Sequence, residues 1–127
     1  MLDNVSATKI AVQGVRAQRI RMNVIANNIA NAQTTRTDEG GPFRRQLAIF
    51  VGKSLSHHLN ESDFGITVPK IMDDDSPFRQ VYDAAHPDAN EEGIVLYPNV
   101  NLSIEMINML SAQRAYEANI DVIMSSK

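Results

Sequence analysis

The chain has 127 residues, a length typical of one domain, and its 12 basic and 15 acidic residues give a net charge of -3. That charge argues against non-specific binding to nucleic acid or to lipid surfaces. The absence of cysteine excludes a disulfide framework and thiolate chemistry. No apolar run approaches the roughly 18 residues of a membrane span, and no secretory signal peptide is visible at the N-terminus.

The first predicted element is a long helix that starts near Asn4 and ends near Ala32. Mostly apolar residues recur along it in steps of three and four, which is the spacing of a coiled-coil seam. A seam of this kind requires a partner helix. The seam consists of Thr8, Ala11, Val15, Gln18, Met22, Ile25, Ile29 and Ala32.

Asparagines recur every four residues at the end of this helix, at Asn23, Asn27 and Asn31. Asparagine is a poor residue for a helix interior because its amide competes for backbone groups. A fraying helix end is one interpretation. The other is a polar ladder that reaches side chains of neighbouring helices, and the sequence favours it because the apolar seam continues through the same residues.

Short strands are predicted between the two ends of the chain. Leu47, Ile49 and Val51 occupy alternate positions after a Gly-Gly-Pro turn and predict one strand, and a second strand is expected from residue 65 to 72, past Pro69. Residues 81–82 and 94–97 are two further candidates. Strands this short cannot hold a core unaided, so they must pack on the helices or on another subunit.

The C-terminal segment repeats the seam spacing, so we predict that it pairs antiparallel with the first helix. Gln18 and Gln113 would then lie at about the same level, either hydrogen-bonded across the interface or at its wet rim. The predicted fold is mainly α with a small β insertion, one domain made of segments 1–35, 36–100 and 101–127. The second seam consists of Leu102, Met106, Met109, Gln113, Tyr116, Ile120 and Ile123.

Several short motifs resemble functional signatures, but the surrounding sequence lacks the elements that each function requires. The tripeptide 86–88 (HPD) is the signature of J-domain co-chaperones, yet the helices that such a domain needs on both sides are not predicted here. Residues 88–93 copy the first half of a calcium loop, but position twelve is Asn99 rather than a glutamate. Neither the run 73–75 (DDD) nor the pair His57 and His58 has the spacing of a metal site.

No nucleophile motif, phosphate loop or acid–base pair is visible. We therefore predict that the chain is not an enzyme and has no catalytic, cofactor-binding or metal-binding residues. Neither nucleic acid nor a small-molecule substrate is expected as a partner.

Residues 26–32 (ANNIANA) with the following Thr34 and Thr35 resemble the signature of the bacterial flagellar rod and hook family. Residues 40–46 (GGPFRRQ) narrow the resemblance to the rod proteins of the basal body. Four further segments match the same proteins in order: 76–79 (SPFR), 86–88 (HPD), 93–101 (GIVLYPNVN) and 105–119.

The resemblance implies a structural subunit of the proximal rod, the drive shaft that crosses the periplasm and transmits torque through subunit packing. It implies export by the flagellar type III apparatus without a cleaved signal peptide, and partners among copies of the chain and other rod proteins. It also implies a last helix that continues past the equivalent of Lys127. The expected assembly residues are Ala11, Val15, Gln18, Met22, Ile25, Asn27, Asn28, Ile29, Asn31, Leu102, Met106, Met109, Gln113, Tyr116, Asn119, Ile120 and Ile123.

Two other classes of protein are compatible with the pattern. A soluble coiled-coil adaptor or chaperone would be a discrete dimer in the cytoplasm. A binding module would use the central strands for a small ligand or metal ion. Apolar residues off the two seams, among them Ile104, Ile107 and Leu110, favour a packed assembly, because a lone helical hairpin leaves them uncovered.

Overall fold

The computed structural model describes residues 3–52 and 67–125, with the side chains of residues 7–51 and 69–125. Its elements in chain order are α1 (Asp3–Ala30), β1 (Gln46–Gly52), β2 (Thr67–Asp73), β3 (Arg79–Tyr82), β4 (Ile94–Tyr97) and α2 (Leu102–Ser125). The predicted mainly α fold with a small β insertion is confirmed. The predicted loop over residues 52–64, including His57 and His58, lies largely outside the described residues.

The two helices form an antiparallel pair. Gly14 of α1 lies against Asn119 near the end of α2, whereas Asn28 near the end of α1 lies against Glu105 in the first turn of α2. Small buried residues allow this close approach, because alanine side chains add little bulk between the two backbones. They are Ala11, Ala17 and Ala112.

The strands form two separate antiparallel hairpins. The β1–β2 hairpin pairs seven residues on each side, from Gln46 opposite Asp73 to Gly52 opposite Thr67, and it packs against α1. Pro69 lies within β2 opposite Phe50, as expected for a strand that continues past this proline. A two-stranded sheet tolerates proline because each of its strands is an edge strand.

The start of α2 is set by Asn101. Its side-chain oxygen accepts hydrogen bonds from the backbone N–H groups of Ser103 and Ile104, at 3.0 and 3.3 Å. These are backbone donors that a helix leaves without an internal partner, so Asn101 is the N-cap. The cap places Glu105 in the first turn, on the side of α2 that faces α1.

Gly14 marks the closest contact between the helices, and it provides a direct test of the pairing. A Cβ at this position would lie 2.6 Å from Nδ2 and 2.7 Å from Cγ of Asn119. We expect Gly14→Ala to destabilise the fold by about 1–3 kcal/mol, although alanine is the better helix former by about 1 kcal/mol. In an Asn119→Ala background the same change is expected to be neutral or stabilising, because the clash is gone.

Urea unfolding of the four proteins in this double-mutant cycle measures the difference. An equal effect of Gly14→Ala in both backgrounds would contradict the observed contact.

Candidate assembly site

A buried ion pair joins the chain after α1 to the start of α2. Nε of Arg45 donates to a carboxylate oxygen of Glu105, which is fully buried, and Nη1 of Arg45 donates to Oδ2 of Asp74 at 3.0 Å. The Arg45 side chain is itself only 18% exposed. One arginine therefore holds together a helix and the end of the β1–β2 hairpin.

Asn28 adds α1 to this arrangement. Its side-chain oxygen accepts from the backbone N–H of Gln46 at 2.9 Å, and its Nδ2 donates to the backbone oxygen of Gln46 at 2.9 Å. The same Nδ2 lies 3.5 Å from Oε2 of Glu105. The amide of Asn28 thus pairs with the first residue of β1 as a neighbouring strand would, and it also contacts α2.

Asn99 completes the cluster from the segment before α2. Its side-chain oxygen accepts from the backbone N–H of Arg45 at 2.7 Å, and its Nδ2 donates to the backbone oxygens of Asp74 and Ser76 at 3.0 and 3.1 Å. We call Asn28, Arg45, Asp74, Asn99 and Glu105 the polar junction. It connects both helices, the β1–β2 hairpin and the segment that leads into α2.

The charges of the junction stabilise one another. Burial on its own disfavours a charged guanidinium, but the hydrogen bonds and charges of Glu105 and Asp74 outweigh it and raise the pKa of Arg45. The backbone N–H of Ser76 donates to Oδ1 of Asp74 at 2.9 Å, and this bond together with Arg45 lowers the pKa of Asp74. Both groups are therefore charged at neutral pH.

The 86–88 tripeptide takes part in a turn and an ion pair. Oγ1 of Thr35 donates to Oδ2 of Asp88 at 2.7 Å, the guanidinium of Arg36 donates to Oδ1, and both lower the pKa of Asp88. Oδ1 of Asn90 accepts from the backbone N–H groups of Glu92 and Ile94. The side-chain oxygens of Asp88 and Asn90 are thus already hydrogen-bonded within the protein. Across residues 3–52 and 67–125 no group of three or more His, Asp and Glu has the geometry of a metal site.

Burial along α1 agrees only in part with the predicted seam and with the residues expected to take part in assembly. Ala11, Ile25 and Asn28 are buried. Val15, Gln18, Met22, Ile29 and Asn31 are half-buried, and Asn27 is exposed. The helix also buries Ala17 and Val24, which lie off the predicted seam. The buried face is therefore broader than a coiled-coil seam, because α1 packs on both α2 and the β1–β2 hairpin.

The predicted seam of α2 is rotated from the side that faces α1. Met109, Tyr116, Asn119, Ile120 and Ile123 are half-buried, but Leu102, Met106 and Gln113 are exposed. The fully buried residues of α2 are instead Glu105 and Ala112. The physical reason is that the junction draws Glu105 towards α1, so the neighbouring positions of the helix turn outwards.

The structure bears on the two alternatives left open for the glutamines. Gln18 accepts from Nη1 of Arg21 at 3.3 Å while Gln113 is exposed, so the two glutamines fit the wet rim rather than a bond across the helix pair. Within the described chain the row of asparagines does not reach α2, because Nδ2 of Asn31 donates to the backbone and side-chain oxygens of Asn27. A ladder to the helices of other subunits stays a prediction. Asn28 makes the contact with α2 instead.

The outer face of the first half of α2 carries large apolar side chains that nothing within the described chain covers. We call this set the α2 stripe. Exposed apolar patches of this kind on a folded protein mark sites of interaction with other molecules. The stripe consists of Leu102, Ile104, Met106, Ile107 and Leu110, which are 40–67% exposed.

The α2 stripe agrees with the sequence analysis, in which Ile104, Ile107 and Leu110 fall off the predicted seam. One sequence feature points to the polar junction: Glu105 is the sole charged residue between positions 102 and 113, and a lone charge on a largely apolar helix segment suggests a buried partner. In the part of the chain that the structure describes, neither helix is apolar enough over a sufficient length to cross a membrane.

Comparison with known families matches both ends of the chain. Residues 9–36 match the family described as flagella basal body rod protein, and residues 91–127 match the C-terminal region of the flagellar basal body rod FlgEFG proteins. These two regions contain most of α1, all of α2 and β4. The polar junction therefore draws Asn28, Asn99 and Glu105 from the matched regions.

Individual relatives extend over almost the whole chain. The flagellar basal-body rod protein FlgC of Borreliella burgdorferi is 46% identical, and the match covers 96% of this chain and 90% of the relative. FlgC of Bacillus subtilis is 40% identical over 93% of this chain and 87% of its own length. FlgC of Aquifex aeolicus is 35% identical over 100% of this chain and 92% of its own length.

Proposed function

Because the chain belongs to the family of flagellar basal-body rod proteins FlgC, we propose that it acts in the rod by packing against other subunits, without chemistry of its own. The chain is a structural subunit of the basal-body rod. The proposed role is mechanical: torque passes along the proximal rod through contacts between subunits. Neither catalysis nor a small-molecule substrate belongs to this role.

The observation that carries the packing role is the α2 stripe. Five large apolar side chains lie on the outside of a helix whose inner side is already engaged by α1. A second subunit placed against them removes apolar surface from water, at about 25 cal/mol for each Å² buried. Further exposed apolar residues on the β1–β2 hairpin, Ile49, Val51, Ile71 and Met72, offer additional contact surface.

The proposed partners are copies of this chain and other rod proteins. We further propose that the chain reaches the rod through the flagellar type III export apparatus and that its working location is the part of the rod in the periplasm. Supporting this, the relatives that match nearly the whole chain are named as basal-body rod proteins. The antiparallel helix pair and its uncovered stripe are suited to an array of packed helices.

The direct test is deletion of the gene in the bacterium that encodes the chain, followed by fractionation of cells that carry a tagged copy. We expect the deletion strain to be non-motile and to lack rods, and the tagged chain to purify with basal bodies. A tagged chain that stays in the cytoplasm as a discrete dimer, in cells that swim without it, would instead favour the coiled-coil adaptor or chaperone and overturn the proposal.

A further inference from the structure

Charge is strongly segregated along this chain. The sequence of α1 contains four basic residues and one acidic residue. Residues 73–92 contain seven acidic residues and one arginine. Since the net charge of the whole chain is only -3, the two regions carry opposite local charges that a whole-chain total conceals.

The basic residues of α1 lie on its outer side. Lys9, Arg16 and Arg19 are exposed, and the exposed Asn23 and Asn27 continue the same side of the helix at helical spacing. The opposite side of α1 buries Ala11, Ile25 and Asn28. We call Lys9, Arg16 and Arg19 the basic stripe; no acidic side chain of the described residues lies within 4 Å of its charged groups.

An exposed surface of opposite charge to the basic stripe lies at the end of the β3–β4 hairpin. Asp83, Glu91 and Glu92 are exposed there, and the backbone N–H of Asp83 donates to the oxygen of Gly93 at 2.8 Å, which brings the two ends of the turn together. Unlike Asp74 and Asp88, these three carboxylates form no ion pair with a basic side chain in the described part of the chain.

An exposed aromatic ring stands beside these carboxylates. Tyr82 is 75% exposed, and its ring passes so close to Gly93 that a Cβ there would lie 2.7 Å from it. Position 93 favours glycine for two reasons: its φ is +81°, and the ring of Tyr82 leaves no room for a Cβ. Arginine stacks on tyrosine rings and pairs with carboxylates, so the acidic tip (Tyr82, Asp83, Glu91 and Glu92) has the chemistry of an arginine-binding surface.

The two surfaces do not meet within one chain. The acidic tip is tied to the segment after α1 by the contacts of Asp88 with Thr35 and Arg36. Arg16 lies fourteen residues before the last residue of α1, Ala30, which is about 21 Å along a helix. A contact between the basic stripe and the acidic tip must therefore join different molecules.

We propose that the basic stripe of one copy binds the acidic tip of the next copy. The occupant is a second copy because the same chain carries both surfaces, each exposed and each opposite in charge to the other. Such a contact joins different patches on the two molecules, so it leaves one of each patch free and extends head to tail. The inference rests on the proposed function, because a rod requires contacts that propagate.

The test is a charge swap in the purified full-length chain, measured by sedimentation velocity. We expect the wild-type chain to self-associate at low salt and to dissociate at about 1 M salt, where charges are screened beyond about 3 Å. Arg16→Glu with Arg19→Glu, or Glu91→Lys with Glu92→Lys, is expected to weaken association at least about tenfold, because like charges then face each other. Circular dichroism checks that each variant is folded.

The decisive part of the experiment is whether self-association can be restored. Combining both reversals in one chain, or mixing the two singly reversed proteins, is expected to restore association, because opposite charges again face each other at every contact. Arg114→Glu, an exposed reversal on α2, is the matched control and is expected to have no effect.

A wild-type chain that is monomeric at low salt, association that does not respond to salt, or a combined variant as weak as the single reversals would each overturn the proposal. These outcomes leave the rod function untouched, because that function is tested by gene deletion and fractionation. If reversal of the basic stripe abolishes rod assembly in cells while the purified wild-type chain does not self-associate, the stripe binds another rod protein and the inference is wrong.

Discussion

Replacing Arg45 with methionine is expected to lower the free energy of unfolding by about 3–5 kcal/mol, the typical effect of removing one partner of a buried ion pair. Methionine retains the apolar part of the side chain but removes the guanidinium. Among the described residues, the fully buried carboxylate of Glu105 is then left with only the long 3.5 Å contact to Asn28. Domains of this size have total stabilities of about 5–15 kcal/mol, so the change removes a large share.

The opposite substitution is expected to be milder. Glu105→Gln removes the buried charge itself, and Arg45 keeps Asp74 as a partner at 3.0 Å and some contact with water. We expect a loss of about 1–3 kcal/mol, the usual range for a buried hydrogen-bonding group that loses its partner. Arg114→Met, at an exposed position of α2, is the control and is expected to stay within about 0.5 kcal/mol of wild type.

Urea unfolding followed by circular dichroism measures all three variants. Arg45→Met no more destabilising than Arg114→Met would show that the ion pair does not hold the helices and hairpin together. Glu105→Gln more destabilising than Arg45→Met would show that the unpaired carboxylate is not the source of the loss.

The second large effect is expected on assembly rather than on folding. Ile107 is 67% exposed at the centre of the α2 stripe, so Ile107→Glu is expected to change the stability of the isolated chain by no more than about 0.5 kcal/mol. In a rod the same glutamate would be buried against a neighbouring subunit without a partner for its charge. We therefore expect loss of rod assembly and of motility.

Ala118→Glu is the matched control. Residue 118 is exposed and follows Ile107 by eleven residues, about three helical turns, so the same charge lies on the same side of α2 but beyond the stripe. Complementation of a deletion strain, scored by swimming and by purified basal bodies, compares the two variants. Normal motility with Ile107→Glu, or equal loss with Ala118→Glu, would show that the stripe is not a specific contact surface.

Periodicity was sufficient to predict the elements of this fold. The steps of three and four indicated two helices that pair, and alternation with turn residues located the strands, including β2 across Pro69. Periodicity was not sufficient to predict which side of α2 faces α1. That side is set by Glu105, whose partner Arg45 lies 60 positions away in the sequence, and no local pattern encodes such a pairing.

The asparagines illustrate the same limit. Asn23, Asn27 and Asn31 share a helical spacing and so attracted the prediction of a ladder, whereas Asn28 is off that spacing and is the one that is buried, at 1% exposure. Its role depends on where β1 and α2 lie in space. The resemblance to flagellar rod proteins marked the whole 26–32 segment, but it did not distinguish one asparagine from the next.

The central claim is that the α2 stripe is covered by neighbouring subunits in the assembled rod, and accessibility of a single cysteine tests it most directly. The chain has no cysteine, so Ile107→Cys and Ala118→Cys each introduce one reporter. We expect a maleimide to label both variants readily as free protein, but in purified rods to label Ile107→Cys only weakly and Ala118→Cys as before. Labelling of Ile107→Cys that is as fast in rods as in the free chain would contradict the account.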